Sequence, residues 1–335
     1  MIILTNGLTD VDDEGFLKVA SNIVKQIKLK KKDTFVISYE RTSSLADEYL
    51  SLNKFLISRK LKKLVKQHKG ALLYIPFPAR TLPTAIRIFI LSLIYSKSPN
   101  VLLVMKNEYN FLARFLLKIS RANIIVLSDD AYNFYCGFIS KKRVKYIKSG
   151  IDTEKFIPVD NRSKRLLKEK YGFDPDIPIV LHVGHLNYGR NVGELLKIDK
   201  KYRVLLVTST LTKNEQDQQL KQLLLERENT TIFEHYISDI QEIYQMADVY
   251  FFPTFQACRC IDVPLSCLEA AACNLPVVTT DYGEMKAFEG KKGFYFIRDF
   301  SEQNLNFIID VAITGVDEST RSSVLEYDWK NICDI

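Results

Sequence analysis

The feature that most constrains this chain is an unbroken alternation that begins near Ile177. "IPIVLHVG" reads as a buried strand, "VGELLKI" as a short helix, "YRVLLVTS" as a strand and "EQDQQLKQLLLER" as an amphipathic helix. "TTIFEHY", "VYFFPT" and "PVVTTD" follow as strands, separated by the helices "SDIQEIYQMAD" and "PLSCLEAAACN". Ser238 with Gln241 predicts a capping box on the first of these helices, and Pro264 sits in the first turn of the second. Strands joined through helices need crossover connections, so the pattern predicts a parallel sheet covered on both faces.

The first half repeats the theme less regularly. "MIILTNG", "DTFVISY", "ALLYIPF", "NVLLVMK" and "ANIIVLSD" read as strands, and "FLKVASNIVKQIK" and "LPTAIRIFILSLIY" as helices. At 335 residues the chain exceeds one ordinary core, so two domains are expected. The turn-rich and polar stretch "YIKSGIDTEKFIPVDNRSK" predicts a linker. The expected organisation is a Rossmann-like lobe over 1–151, a second over 152–318, and a terminal segment over 319–335 that packs back toward the first. Two doubly wound lobes imply a cleft, with ligands at the carboxyl ends of the strands.

Charge divides the halves. Residues 1–150 hold 26 Lys+Arg against 11 Asp+Glu, a net of +15, and the remainder holds 21 against 29, a net of −8. Only the first half is therefore suited to an anionic partner. The run "ISRKLKKLVKQHKG" (Ile57 to Gly70) predicts a basic helix, either a solvated surface or a contact with an anionic membrane or a pyrophosphate-linked lipid. Nucleic acid is the weaker partner, because no aromatic–basic interleaving accompanies the charge. Cys258, Cys260, Cys267 and Cys273 lack the spacing of a zinc site, and no metal is expected. The start "MIILTNGLTD" has no basic region and cleavage site of a signal peptide, which makes the cytoplasm the expected compartment, with a peripheral position at the inner membrane face.

Glu269 lies among small and apolar residues, where a carboxylate needs a partner. Ser266, Glu269 and Cys273 share one helix face and Leu265, Leu268 and Ala272 the other, which predicts a carboxylate clear of apolar packing. Arg190 follows Gly189 in a strand-to-helix loop, where a cation is unfavourable unless an anion is near.

"VGHLNYGRNVGELL", "DIQEIYQMADVYFFPT", "VPLSCLEAAACNLPVVTTDYGEM" and "KYIKSGIDTEKFIP" resemble the segments of GT-B glycosyltransferases of family 4, the group 1 transferases, and stand in that family's order. The resemblance covers residues ~125 to 335. It implies the α/β GT-B fold, two Rossmann-like doubly wound parallel-sheet lobes facing a cleft. It also implies metal-independent, retaining transfer of a sugar from a nucleotide-diphosphate donor to a glycan, lipid-linked or protein-linked acceptor, with no cofactor beyond the co-substrate. Carried onto this sequence, the donor site comprises Gly184, His185, Arg190, Tyr236, Asp262, Pro264, Leu265, Ser266 and Glu269. Glu269 would hold the ribose, Arg190 and the helix start at Pro264 the diphosphate, and Tyr236 would border the base.

Gly7, Asp12, Lys106 and Glu108 are acceptor or cleft candidates, and the acidic residues near Asp12 serve either acceptor hydroxyls or the start of the next helix. Besides the lack of the histidine that many relatives carry after "VLLVMK", where Lys106, Asn107 and Glu108 stand, three positions depart from the family. Ile261 replaces the first of two glutamates eight apart, His185 replaces an arginine, and Asn191 replaces a glycine. The first departure leaves open a protein that binds sugar nucleotide or glycan without turnover. A basic-lobe nucleic-acid adaptor is the alternative of another class.

Overall fold

The structure, a computed structural model, describes residues 1–11, 14–77, 79, 81–105, 109–209, 216–256, 260–315 and 320–331. The chain divides into two units, Met1–Ser149 with Trp329–Ile335, and Gly150–Asp328. Each is built on one all-parallel sheet, as the strand–helix alternation requires.

In the first unit the strands are β1 (Ile2–Thr5), β2 (Phe35–Ser38), β3 (Glu48–Tyr49), β4 (Leu72–Ile75), β5 (Asn100–Leu103), β6 (Asn123–Val126) and β7 (Val144–Tyr146), in the order β3-β2-β1-β4-β5-β6-β7. The helices are α1 (Gly15–Lys30), α2 (Arg59–Gln67), α3 (Thr81–Ile94), α4 (Phe111–Ile119) and α5 (Asp129–Cys136). Buried residues of α2, α3, α4 and α5 join one core cluster, so these four helices cover the same face of the sheet. The two short strands β3 and β7 escape a reading by apolar runs, since β3 shows two half-exposed residues and β7 buries only Val144. Trp329 is buried in this unit, where the Lys30 ammonium donates to the Lys330 carbonyl at 2.9 Å.

The second unit holds α6 (Asn161–Lys170), β8 (Ile179–Val183), β9 (Arg203–Val207), α7 (Gln218–Leu225), β10 (Thr230–Phe233) and α8 (Ile240–Met246). It continues through β11 (Val249–Phe252), α9 (Leu265–Ala272), β12 (Val277–Thr279), β13 (Phe294–Phe296) and α10 (Glu302–Thr314), with strand order β10-β9-β8-β11-β12-β13. Three local expectations change. The end of the expected linker is the start of α6, because the Asp160 carboxylate caps it by accepting from the Ser163 amide at 2.7 Å. Lys168 of α6 is then buried against Asp248 at 2.8 Å. The capping box at Ser238 and Gln241 does not form: Asp239 occupies the cap position of α8 with no side-chain cap bond, and the Ser238 hydroxyl donates to Asp239 instead. Residues 320–328 pack on the second unit, held by the Arg321 guanidinium, which donates to the Phe156 and Thr153 carbonyls at 2.6 and 2.8 Å.

Candidate functional site

In the second unit the expected donor residues follow the carboxyl ends of β8, β10 and β11. Gly184 leaves β8 with its amide donating to Val207 O at 2.9 Å. A Cβ there would lie 3.0 Å from His182 Nε2 and 3.4 Å from Arg190 Nη1, so the glycine leaves room for two side chains to converge behind the loop. Arg190 is buried in a short 3-10 turn, Tyr188–Arg190, whose start is capped by Asn187 through the Arg190 amide at 3.0 Å. Asn191 then adopts φ 58°, the left-handed conformation that asparagine tolerates, which explains how it replaces a glycine. The Arg190 carbonyl accepts from the Thr254 hydroxyl at 3.1 Å, and the Thr280 hydroxyl donates to the Thr254 carbonyl. Three strand-end loops are thereby tied together.

Among the described residues, two buried nitrogens in this corner lack hydrogen-bond partners: Arg190 Nε and His182 Nε2. Among the described residues Arg190 has no ion pair. His182 Nδ1 donates to Phe251 O at 2.8 Å, which leaves a lone pair on Nε2. Burial, together with the positive charge of Arg190 and the nearby His185, brings the His182 imidazole down to about 4, against its bond to Phe251. It is neutral at physiological pH. A buried donor left unmade costs about 1–3 kcal/mol, and an anion or water reaching Arg190 would recover it.

α9 begins directly after this corner. Pro264 precedes its first turn with no side-chain cap, so the positive end of the helix is left to an outside acceptor. The loop ahead of it is fixed from behind. Tyr282 OH donates to Cys260 O at 2.6 Å, and the Glu284 amide donates to Asp262 O at 2.9 Å. Gly283 has φ 53°, and a Cβ on it would fall 2.2 Å from Asp262 O.

The expected two-faced character of α9 is corrected. Leu265, Cys267, Leu268, Glu269, Ala270, Ala271 and Ala272 are all buried, because the helix lies between the sheet and its neighbours, and Glu269 is not clear of apolar packing. Its carboxylate accepts from Tyr244 OH at 2.9 Å. Burial drives the Tyr244 phenol well up, reinforced by the Glu269 charge, so the phenol stays a donor. Burial also drives the Cys267 thiol well up, Cys260 adds to this, and Arg190 and Glu269 act on it with opposite signs. Both charges therefore stand within electrostatic reach of one buried thiol.

The structure brings Gly184, Arg190, Asp262, Pro264, Leu265, Ser266 and Glu269 to this end of the sheet, with His185 half-buried beside them. Tyr236 is exposed at the same edge, after β10. His182, Tyr244 and Tyr282 were not singled out by sequence. Only His182 left a signal, as a polar residue in an otherwise apolar strand.

In the first unit Gly7 is buried, and a Cβ there would meet the Phe16 ring at 2.8 Å, so it serves packing. Asp12, Lys106 and Glu108, and also Cys258, lie outside the described residues. Instead the carboxyl ends of β1, β2 and β4 border a cavity of about 500 Å³ lined by Glu40, Lys54, Phe55, Phe77, Ile86 and Arg87, among others. Asn6 clasps its wall: its Oδ1 accepts from the Phe77 amide at 2.8 Å and its Nδ2 donates to Glu40 at 2.7 Å.

Known proteins resemble this chain in sequence over part of its length and in fold over nearly all of it. The family model described as glycosyl transferases group 1 matches residues 178–310. Mannosylfructose-phosphate synthase of Agrobacterium fabrum is 22% identical over 181 residues, 50% of this chain and 39% of that protein. Alpha-maltose-1-phosphate synthase of Mycobacterium tuberculosis is 28% identical over 148 residues, 42% of this chain and 38% of that protein. The chain thus spans about two fifths of the length of these curated relatives. Among solved structures, a glycosyltransferase from Rickettsia africae superposes with TM-score 0.75 at 12% identity, covering 98% of this chain and 94% of that one. Anabaena Alr3699/HepE in complex with UDP does so with TM-score 0.73 at 13% identity, covering 98% and 96%. These likenesses show the fold, which is GT-B. Residues 178–310 are thus similar to the glycosyl transferases of group 1.

Proposed function

We propose that the protein transfers a sugar from a nucleotide-diphosphate donor to a glycan, lipid-linked or protein-linked acceptor, with retention of configuration. The observation that carries this reading is the buried Arg190 guanidinium, with Nε unpaired, beside the uncapped start of α9. Together they offer a permanent cation, a helix dipole and unfilled donors to a diphosphate. The Glu269 carboxylate, oriented by Tyr244, takes the ribose diol, and Tyr236 borders the base. The neutral His182 keeps Arg190 as the charge that meets the phosphates.

In the reaction the bond from the anomeric carbon to the donor phosphate oxygen breaks, and a bond to the acceptor oxygen forms on the same face. The acceptor proton passes to the leaving diphosphate, so no protein base is needed. The chain's task is to stabilise charge on the leaving group. Arg190 and the α9 amides do this without a metal. Structural neighbours solved in complex with UDP, such as Anabaena Alr3699/HepE, support a nucleotide partner. The amphipathic cavity of the first unit, lined by the Glu40 carboxylate, the cations Lys54 and Arg87 and the rings of Phe55 and Phe77, suits an acceptor bearing hydroxyls. The basic unit also contacts an anionic membrane surface.

Arg190→Ala is expected to weaken UDP binding by about 1.5–3 kcal/mol and uridine binding far less. Titration calorimetry with both ligands, each with and without EDTA, reads this. Equal losses remove Arg190 from the phosphate site, and a loss of wild-type binding in EDTA removes metal independence. A second reading is favoured by Ile261, a buried apolar side chain at the position of the family's first glutamate: sugar-nucleotide binding without turnover. Release of UDP from a UDP-sugar panel with an acceptor extract separates the two.

A further inference from the structure

We propose that the outward face of α4, together with Leu93 on its packed neighbour α3, is a docking surface that seats in the interface of an anionic lipid bilayer. The inference rests on the membrane contact proposed above and assigns the surface that makes it. It is independent of glycosyl transfer.

α4 is apolar around most of its circumference, yet only Ala113 and Leu117 of its nine residues are buried in the core. Phe111, Phe115 and Ile119 repeat at every fourth position along one line, with Leu112 beside them. Phe111 is 86% exposed, Leu112 50%, Phe115 49% and Ile119 41%, and Leu93 on α3 is 69% exposed. A contiguous apolar face of this kind marks an interaction site. The basic helix expected to meet the membrane is differently built. In α2, Leu61 is buried and Leu64 and Val65 pack against the core, so it presents only charge, at Lys62, Lys63 and Lys66. Its apolar face is largely taken up by the core.

Charge selects the occupant. Between Ser51 and Ser128 the sequence holds 14 Lys+Arg and a single carboxylate, Glu108. α2, α3 and α4, which carry most of these cations, cover one face of the sheet. Arg114 and Lys118 lie on α4 itself, both exposed, and Arg121 follows its end. A second copy of this chain would bring like charges together across the patch, which is unfavourable. An anionic bilayer satisfies both features at once, since apolar side chains enter the acyl boundary while the surrounding cations meet lipid phosphates.

The test uses the full chain and vesicles of phosphatidylcholine, alone or in equimolar mixture with phosphatidylglycerol. Wild type is expected to co-sediment with the mixed vesicles at low salt and to be lost from them at high salt. Phe111→Ser with Phe115→Ser is expected to lower the partition coefficient about ten-fold or more at unchanged melting temperature, since both side chains are exposed. Lys62→Ser with Lys63→Ser is expected to lower it less and to flatten the salt dependence. Phe111→Trp, read against the wild-type signal of Trp329, is expected to be quenched by lipids brominated on the acyl chain. Absence of wild-type sedimentation overturns the membrane contact altogether. Sedimentation indifferent to the α4 changes overturns this surface while leaving a charge-only contact. Concentration-dependent dimerisation without lipid that the α4 changes abolish assigns the face to a second copy. Binding to an RNA oligomer that competes with vesicles and ignores the α4 changes assigns the charge to nucleic acid. UDP binding, measured in the same variants, is expected to stay at the wild-type value, so failure here leaves the donor site standing.

Discussion

The two units share one architecture and use it in opposite ways. In the second, the strand-end loops are latched to one another by buried polar contacts: Thr254 to Arg190, Thr280 to Thr254, Tyr282 to Cys260 and Glu284 to Asp262. In the first, the corresponding strand ends border an amphipathic cavity clasped by Asn6, and the further tie from Asp10 to Ser43 and Ser44 is exposed. A site that presents backbone amides and one buried cation needs its loops fixed closely, because a small displacement removes the geometry. A site made of side chains around a cavity tolerates looser walls. The difference teaches that precision in this fold is concentrated at the proposed donor site, where backbone atoms would meet the ligand.

The largest effect that breaks or sharpens this contrast comes from two glycines. Gly283→Ala places a methyl group 2.2 Å from the Asp262 carbonyl oxygen at positive φ, and that oxygen is a backbone atom already held by the Glu284 amide. A loss of about 3–5 kcal/mol is expected from overpacking and strain together. Gly7→Ala meets side-chain atoms rather than backbone, the Phe16 ring edge at 2.8 Å and Ala20 Cβ at 3.4 Å, so about 1–2 kcal/mol is expected. Hydrogen exchange resolved by unit measures each loss separately. Equal losses would show that both strand ends are held with the same rigidity.

Next in size is the acid response of the second unit. The folded His182 titrates near 4, below the ordinary 6.5, so between these values the unfolded chain binds a proton that the folded one refuses. Stability therefore falls as pH drops from about 6.5 to 4, by roughly 3 kcal/mol in all. His182→Gln is expected to flatten that slope while lowering stability at neutral pH, where the Phe251 contact is weakened. An unchanged slope would mean that another group carries the acid sensitivity. Exchange in the first unit should not follow this titration.

The same contrast decides what was legible in the sequence. The second unit's strands are buried apolar runs and its loops carry contiguous motifs, so the places of Gly184, Arg190 and the start of α9 at the strand ends could be read directly. Residues acting from a distance in sequence could not. Tyr244 reaches Glu269 from another helix, and Tyr282 reaches Cys260 from another strand's loop, and no local pattern announces either. Periodicity also misjudged Glu269. It assigned a polar face to α9, but the helix is enclosed on nearly every side and the carboxylate is satisfied by a tyrosine rather than by exposure. In the first unit the cavity draws on Glu40, Phe55, Phe77 and Arg87, which stand near four different elements, so it emerges only when the sheet is assembled. The exposed face of α4 has the composition of a core helix, and composition alone cannot distinguish the two.

The smallest effects test whether Glu269 serves a ligand or the fold. Tyr244 OH donates to Glu269 Oε2 inside the second unit, much as Tyr39 and Tyr74 share a hydroxyl contact at 3.0 Å inside the first. If the carboxylate holds a ribose diol, Glu269→Gln keeps the size, removes the charge and puts a donor where an acceptor is needed. UDP affinity should fall by about 1.5–3 kcal/mol, and the preference for UDP over its 2′,3′-dideoxy analogue should vanish. Tyr244→Phe leaves the carboxylate in place but unaimed, so about 1 kcal/mol of stability and a several-fold part of that ribose preference should go. Tyr74→Phe in the first unit should cost similar stability and leave nucleotide affinity untouched. Melting curves beside calorimetric titrations of all three variants separate the roles. If Glu269→Gln lowers stability heavily and keeps the full ribose preference, the carboxylate is a structural group and the ribose is held elsewhere.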